Sequence, residues 1–263
     1  MNILILSWRC IKNPSAGGSE IYFHEMAKRW ASEGNKVTWF SPMFKGALKE
    51  EYYDGIKFFR RGDKKSVYFF ALWEYINGRL GKDHDIVIDI ENGIPFFSPF
   101  YIFNKPIIFH VQHVHKEVWF REMPFPLSYI GAFMETKIIP MFYRKTKVIT
   151  ISKSSADEIV NENISRVSPP IVNPGIEFYS GKKFKKTSYP SVLFLNRIKR
   201  YKGVITLLDA AKIIQNKDKR IRIWIAGGGE DLQYVQQYAK DCGLKNVTFL
   251  GRVSEKKKRE LMQ

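Results

Sequence analysis

The sequence has little of what marks secreted, metal-dependent or membrane-spanning proteins. Only two of its 263 residues are cysteines, Cys10 and Cys242, and their separation fits no metal-binding spacing. The apolar N-terminus, MNILILSWRC, has no basic leader or cleavage site, and no apolar run is long enough to cross a bilayer. We therefore expect a cytoplasmic protein with reduced thiols.

Acidic residues are scarce relative to basic ones. The chain carries 43 Lys+Arg against 26 Asp+Glu, a net charge of +17. Such a charge attracts nucleic acid, anionic lipid headgroups or phosphorylated substrates. Patterns typical of nucleic-acid-binding modules are missing, as are the G-x-G-x-x-G fingerprint and the Walker lysine. The sequence thus predicts no nucleic-acid partner and disfavours a nucleotide cofactor.

Apolar runs rich in β-branched residues alternate with amphipathic helical patterns along the chain. Eight runs predict buried parallel strands: Asn2–Leu6, Lys36–Ser41, Asp85–Ile90, Pro106–Val111, Lys147–Ser152, Ser191–Asn196, Ile221–Ala226 and Val247–Gly251. We predict two doubly wound α/β domains, 1–168 and 169–263, with ligands in a cleft between them. The basic stretch 179–190 is predicted as a hinge or surface loop. The second domain shows three strands where such sheets usually have about five or six, so we expect it to be incomplete.

A glycine-rich loop follows the first strand. Gly17 and Gly18 precede a helix that begins near Ser19, and Glu20 lies in its first turn. The open N–H groups of a helix N-terminus bind anions, and glycine lets a phosphate or sugar approach the backbone. The alternative is a flexible loop in which Ser19 caps the helix.

A basic turn follows the strand at Ser191–Asn196. Arg197, Lys199, Arg200 and Lys202 precede a helix that Gly203 opens, an arrangement that suits a diphosphate. The alternative is a solvated basic turn. In the next strand–helix connection, Gly227–Gly229 are followed by acidic residues that would repel a phosphate. We therefore predict a tight supporting turn there, with a nucleoside contact.

Three of the five histidines, His110, His113 and His115, lie at the end of one strand. A metal site is disfavoured, because no cysteine or clear fourth ligand is nearby. A histidine that contacts a substrate at the strand end is the preferred interpretation, and a core histidine is the alternative, most of all for His110. The aromatic and basic segment Trp119–Val148 predicts either helices packed on the sheet or contact with a membrane interface.

Together these segments resemble the retaining GT-B glycosyltransferases of family 4. The resemblance covers nearly the whole chain in order: AGGSE, HVQHVHKEVW, ITISKSSADEI, IVNPGIE, NRIKRYKG, IAGGGED and VTFLGRVSEKKKREL. NRIKRYKG is similar to the family's G-R-x(4)-K-G motif, with Asn196 in place of the usual glycine. The ordered set implies a GT-B-like fold of two Rossmann-like domains facing a cleft.

The resemblance also implies roles. Arg197 and Lys202 would hold the diphosphate and stabilise it as the leaving group. His113 would contact the donor sugar, with His115 as the alternative. The implied catalytic residues are thus His113, Arg197 and Lys202, and the implied substrate-binding residues are Gly17, Gly18, Glu20, His115, Asn173, Gly228 and Arg252. No metal or cofactor is implied, and the substrate would be a UDP- or GDP-linked hexose, transferred with retention to a lipid-linked or glycan acceptor.

One departure concerns the family's glutamate pair, E-x(7)-E, which would lie beyond residue 263. We therefore expect a fragment of an active enzyme. The alternative is a non-catalytic relative that binds anions or a membrane surface. The expected location is cytoplasmic, with an anionic membrane, at the inner face of the cell membrane, as a candidate partner.

Overall fold

The computed structural model describes residues 1–80, 83–175 and 186–262, and the chain divides into two compact units, Met1–Ile176 and Glu177–Gln263. The division lies beyond the predicted boundary at residue 168 because the following segment is hydrogen-bonded to the first unit. The Thr150 N–H donates to the Pro170 carbonyl at 3.1 Å, and the Val172 N–H donates to the Thr150 carbonyl at 2.7 Å. Of the predicted hinge at 179–190, residues 179–185 lie outside the described residues.

The first unit is built on a seven-stranded sheet. Its strands are Asn2–Leu6 (β1), Lys36–Ser41 (β2), Glu50–Tyr53 (β3), Ile56–Arg60 (β4), Ile86–Ile90 (β5), Ile107–His110 (β6) and Lys147–Ile149 (β7). They are ordered β3-β4-β2-β1-β5-β6-β7, and every neighbouring pair is parallel except β3–β4. The carboxyl ends of β1, β5 and β6 therefore meet at one edge of the sheet.

Helices cover both faces of this sheet. They are Gly18–Ser32 (α1), Val67–Ile76 (α2), Glu117–Glu122 (α3), Leu127–Phe133 (α4), Ile139–Tyr143 (α5) and Lys153–Asn161 (α6), and one π-helical turn, Met134–Ile138, joins α4 to α5. Alternate residues of β1 point to opposite faces. Ile3 and Ile5 pack in one core cluster with Phe23 of α1, whereas Leu4 and Leu6 pack in another with Val67 of α2. A strand buried on both faces explains the continuous apolar run NILIL.

The second unit has a smaller parallel sheet. Its strands are Ser191–Leu195 (β8), Arg222–Ala226 (β9) and Val247–Gly251 (β10), and its helices are Val204–Lys217 (α7), Leu232–Asp241 (α8) and Glu255–Leu261 (α9). The strand order is β10-β9-β8. Within residues 186–262 the sheet thus has the three strands that the sequence predicts. Its core packs Ile223 and Ile225 of β9 against Leu208 of α7 and Val235 of α8.

The structure differs from the sequence prediction in one hairpin and at several strand ends. The β3–β4 hairpin was not predicted, and β6 ends at His110 and β7 at Ile149, one and three residues earlier than expected. His113 and His115 therefore lie in a loop and not on a strand. The His115 N–H donates to the side chain of Glu135. In the described parts of the chain, no helix combines the length and apolar character needed to cross a membrane.

Candidate functional site

The glycine loop connects β1 to the N-terminus of α1. Gly17 is the N-cap residue, and its carbonyl accepts the Ile21 N–H at 3.1 Å. The N–H groups of the first helical turn have no acceptor within the helix. Gly18 is exposed, and a Cβ atom built on it would meet no atom within 4 Å. The N-terminus of α1 is therefore open to a ligand at Gly18.

Glu20 holds this loop in place. Its side chain is only 2% exposed, and its carboxylate accepts the Gly17 N–H at 2.6 Å and pairs with the Arg9 Nε at 3.2 Å. Arg9 in turn donates from Nη1 to the Ser15 carbonyl at 2.9 Å. Both carboxylate oxygens of Glu20 thus contact groups of the loop itself. The substrate contact that we predicted for Glu20 stays a prediction.

The histidine segment follows β6 and contains two different environments. His110 is fully buried against Phe23 of α1, with ring centroids 4.5 Å apart, and burial lowers its pKa to about 3. His110 is thus a neutral core histidine. His113 is exposed, and its ring centroid lies 4.5 Å from that of His115, whose side chain is 17% exposed. The structure therefore places the two predicted histidines side by side.

His115 lies between two buried carboxylates that the sequence analysis missed. Its Nδ1 is 3.5 Å from Oε1 of Glu91, the first residue after β5, and 3.4 Å from Oε1 of Glu135. Glu135 also accepts the backbone N–H groups of His115 and Lys116, at 2.6 and 2.8 Å. A single carboxylate in the apolar run GAFMETKII was the sequence signal that could have pointed to Glu135, because such a residue needs a buried partner.

The charges of this cluster are coupled. Burial raises the pKa of Glu91 to about 7, although the nearby His115 partly offsets it. Burial also disfavours the charged form of His115, but the hydrogen bond to Glu135 and the charges of both carboxylates outweigh it and raise the pKa of His115. For Glu135, burial is outweighed by the hydrogen bonds from His115 and Lys116, which lower its pKa. The arrangement thus favours an imidazolium at His115 and a carboxylate at Glu135.

Asn173 lies beside the carboxyl end of β7. Its Nδ2 donates to the Ile151 carbonyl at 2.9 Å, and the preceding carbonyl, that of Val172, accepts the hydroxyl of Tyr22 in α1 at 3.0 Å. The segment that carries Asn173 therefore contacts the helix that Gly18 begins.

In the second unit, glycines join the turns at the carboxyl ends of all three strands. The Ile198 N–H donates to the Gly228 carbonyl at 3.0 Å, and the Gly227 N–H donates to the Gly251 carbonyl at 2.7 Å. A Cβ atom on Gly227 would lie 1.9 Å from the Asn196 oxygen, and one on Gly229 would lie 2.1 Å from the Ile198 oxygen. Only glycine fits at these positions, so the glycine run is a tight supporting turn, as predicted.

Basic side chains surround these joined turns. Arg197, Lys202 and Arg252 are exposed. A Cβ atom on Gly228 would lie 3.0 Å from the Arg252 Nε, so the structure brings these two predicted residues together. The turn after β8 thus presents Arg197 and Lys202, and the turn after β10 presents Arg252, at one edge of the sheet.

The two other basic residues of the β8 turn are paired with the acidic start of α8. The Lys199 Nζ is 3.6 Å from Glu230, and the Arg200 Nε is 3.4 Å from Asp231, which also accepts the Arg200 N–H at 3.0 Å. These acidic residues, expected to repel a phosphate, are therefore partly neutralised.

Comparison with sequence families matches both units. The model of Glycosyltransferase Family 4 matches residues 16–177, which is more than half of the chain, and that of Glycosyl transferases group 1 matches residues 175–263. The chain belongs to glycosyltransferase family 4. No protein of curated function matches this family 4 chain by sequence.

Solved structures of glycosyltransferases share the GT-B fold of this family 4 chain. WaaG, a glycosyltransferase of lipopolysaccharide biosynthesis, is 14% identical with a TM-score of 0.68, and the match covers 99% of this chain and 72% of WaaG. Anabaena HepE, solved with UDP and glucose, is 15% identical with a TM-score of 0.66, and the match covers 99% of this chain and 71% of HepE. The galactosyltransferase WaaB is 15% identical with a TM-score of 0.59, and the match covers 98% of this chain and 70% of WaaB.

Proposed function

We propose that this family 4 chain transfers a hexose from a UDP- or GDP-linked donor to a lipid-linked or glycan acceptor, with retention of configuration and without a metal ion. The observation that carries the proposal is the set of joined turns in the second unit. Their glycines keep the backbone open, and exposed Arg197, Lys202 and Arg252 surround them. This combination suits a nucleoside diphosphate, and the structure of HepE with UDP and glucose supports the same ligand class.

The basic side chains would supply the chemistry that a metal ion supplies elsewhere. When the bond between the anomeric carbon and the diphosphate oxygen breaks, the diphosphate leaves with the electron pair and gains negative charge. Arg197 binds this charge through its planar guanidinium, and Lys202 adds a point charge. Among the described residues, no carboxylate lies within ion-pair distance of Lys202, so its charge remains available for a phosphate.

Residues of the first unit would act on the sugar. His113 contacts the donor sugar, and Gly18 lets the ligand approach the open N–H groups at the start of α1. Glu20 contributes by fixing the glycine loop through Gly17. The acceptor hydroxyl attacks the anomeric carbon on the face that the diphosphate leaves, which gives retention, and its proton passes to the departing diphosphate oxygen as the new bond forms.

Two substitutions in the second unit test the diphosphate site. Arg197→Ala should weaken UDP or GDP binding by about 2 kcal/mol, or roughly 30-fold in Kd, because a charged hydrogen bond is lost. Arg220→Ala is the matched control: Arg220 is exposed and pairs with Asp218 before β9, at the opposite edge of the sheet. Isothermal titration calorimetry gives both affinities. Equal affinity of the two variants would count against the site.

A surface of the first unit supports contact with an anionic membrane, where a lipid-linked acceptor would lie. Phe120, Phe125 and Tyr129 are exposed and form one cluster, with ring centroids 5.1 and 5.8 Å from that of Tyr129. Four exposed basic residues flank or follow it: Arg121, Lys137, Arg144 and Lys145. Aromatic side chains with neighbouring basic groups suit the interface of an anionic bilayer.

Vesicle sedimentation tests this surface. The chain should bind vesicles that contain phosphatidylglycerol, and Phe125→Ser should weaken the binding because Phe125 is 81% exposed and would insert among the lipids. Tyr52→Ser is the control, since Tyr52 is 75% exposed on β3, away from the cluster in sequence. Equal binding of both variants would contradict the proposal. Vesicle binding without nucleotide binding would favour the non-catalytic alternative.

A further inference from the structure

Glu135 organises the turn that carries the histidines. Lys116 adopts φ 45° and ψ −114°, a backbone conformation that a non-glycine residue takes up only when its surroundings support it. The Glu135 carboxylate provides that support, because it accepts the N–H groups of His115 and Lys116 and, at 3.2 Å, the indole N–H of Trp119. One buried carboxylate thus accepts hydrogen bonds from three residues of the segment.

The loop after β5 holds the other side of the segment. Glu91 is 4% exposed and accepts the Gly93 N–H. The Trp119 ring packs between two glycines: Cβ atoms on Gly93 and Gly131 would lie 3.1 and 2.4 Å from it. Three separate elements therefore converge on His115, which lies between Glu91 and Glu135.

Charge explains why a histidine stands at this position. Two buried carboxylates that face each other repel, and burial without a counter-charge is costly. The imidazole of His115 lies within 3.5 Å of both and compensates them when it is protonated. Among the described residues, the other charged or titratable neighbours belong to its own loop. They are His113, with its ring 4.5 Å away, and Lys116, whose Nζ points to Glu158 of α6 and to Glu162, the residue that follows α6.

We propose that Glu91, His115 and Glu135 form a positioning triad, with the imidazole of His115 between the two acidic side chains, that fixes the turn presenting His113 to the donor sugar. This inference rests on the proposed function, because it takes His113 as the residue that contacts the sugar. His115, the alternative sugar contact in the sequence analysis, thereby acquires a different role. It holds the loop and places a fixed positive charge beside His113.

An ion triad fits the contacts better than a bound cation does. One donor atom from each of the three side chains lies within 4.8 Å of the others, which is close enough for a shared ion. However, Glu135 already accepts three N–H groups, and Glu91 accepts one. Most of the oxygen lone pairs of Glu135 are therefore already used by the protein itself.

Nuclear magnetic resonance of ¹⁵N-histidine-labelled protein, titrated from pH 5 to pH 9 without ligand, tests the triad directly. The signal of His115 is assigned by its loss in His115→Gln. We expect His115 to titrate above its ordinary pKa of 6.5, because the Glu135 hydrogen bond and both acidic neighbours favour the imidazolium. Glu135→Gln or Glu91→Gln should lower that titration by about one pH unit, the change expected when a neighbouring charge is removed.

Glu162→Gln is the matched control, because it removes a carboxylate that faces the neighbouring Lys116 and should leave His115 unchanged. If Glu135→Gln does not fold, Glu91→Gln provides the same comparison. A His115 titration at or below pH 6.5 in the unmodified protein would overturn the proposal, as would equal titration in Glu91→Gln and the control. A shift of the His115 signal on addition of stoichiometric Zn²⁺ would also overturn it.

A second measurement separates this inference from the proposed function. The triad variants should bind UDP-glucose about tenfold more weakly and UDP with unchanged affinity, because UDP lacks the sugar that His113 contacts. Weakened binding of both ligands would indicate a merely structural role and contradict the proposal. If the unmodified chain binds neither of these ligands nor GDP or a GDP-linked sugar, the proposed function fails, and the histidine titration still decides whether the triad exists.

Discussion

At the scale of single residues, Gly18 offers a direct test of close ligand approach. A Cβ atom there would meet nothing within 4 Å, and alanine is a better helix former than glycine. Gly18→Ala should therefore leave the melting temperature unchanged or slightly raised. It should nevertheless weaken donor binding about tenfold, because the methyl group occupies the space of the ligand. Thermal unfolding measures the melting temperature, and calorimetry on the same sample measures the affinity for the donor.

The result that would contradict this account is unchanged donor affinity in a folded Gly18→Ala protein. The glycine would then serve only the flexibility of the loop.

Glu20 should matter for stability, since it is the buried anchor of the same loop. Glu20→Gln keeps an acceptor for the Gly17 N–H but removes the charge that faces Arg9, which should lower the free energy of unfolding by about 2 kcal/mol. Urea unfolding measures the change. Glu25→Gln on the same helix removes only an exposed pair with Arg29, so its effect should stay below about 0.5 kcal/mol. Equal losses would show that Glu20 is not an anchor.

At the scale of secondary structure, the parallel strands could be predicted and the β3–β4 hairpin could not. Strands β1, β2 and β10 have the predicted bounds, because a strand buried on both faces needs an unbroken apolar run. Strand β3, with the sequence EEYY, lies at the edge of the sheet and is mostly exposed, so its sequence carries no such signal. The position of β3 depends on its pairing with β4 and on the ion pair between Glu51 and Arg60.

The hairpin should lose stability as the pH falls. Arg60 is fully buried and its Nη2 lies 2.6 Å from Glu51, and this contact, with that of Lys12, outweighs burial and lowers the pKa of Glu51 below its ordinary 4.5. A lowered pKa stabilises the fold above the unfolded pKa, and the contribution disappears as the pH falls through the folded pKa. The stability difference between the unmodified protein and Glu51→Gln should therefore be full at pH 7 and smaller at pH 4. A difference that grows towards pH 4 would contradict this assignment.

At the scale of the whole molecule, the strand-end turns could be predicted from the sequence, whereas the cluster around His115 could not. A turn is local, so a glycine or a basic run next to a strand is visible in the sequence. Glu91 and His115 come from the loops that follow β5 and β6, and Glu135 comes from a helical segment, so only tertiary packing brings them together. The sequence around each of these three residues does not indicate which residues it contacts.

The net charge of +17 is a property of the whole chain that agrees with two anionic ligands, a diphosphate and a lipid surface. Because the chain belongs to glycosyltransferase family 4, binding of a diphosphate is the central claim. This chain covers 72% of WaaG and 71% of HepE. The described candidate phosphate-binding residues all lie within the matched part.

The most direct measurement is a titration of the chain with UDP, GDP and ADP, followed by thermal unfolding. A ligand that binds only the folded state must stabilise it, by about 2.7 kcal/mol at a concentration 100 times its Kd. We predict an increase in melting temperature for UDP or GDP but not for ADP, and its loss in Arg197→Ala but not in Arg220→Ala. No increase with any nucleotide, or an increase that Arg197→Ala retains in full, would contradict the account.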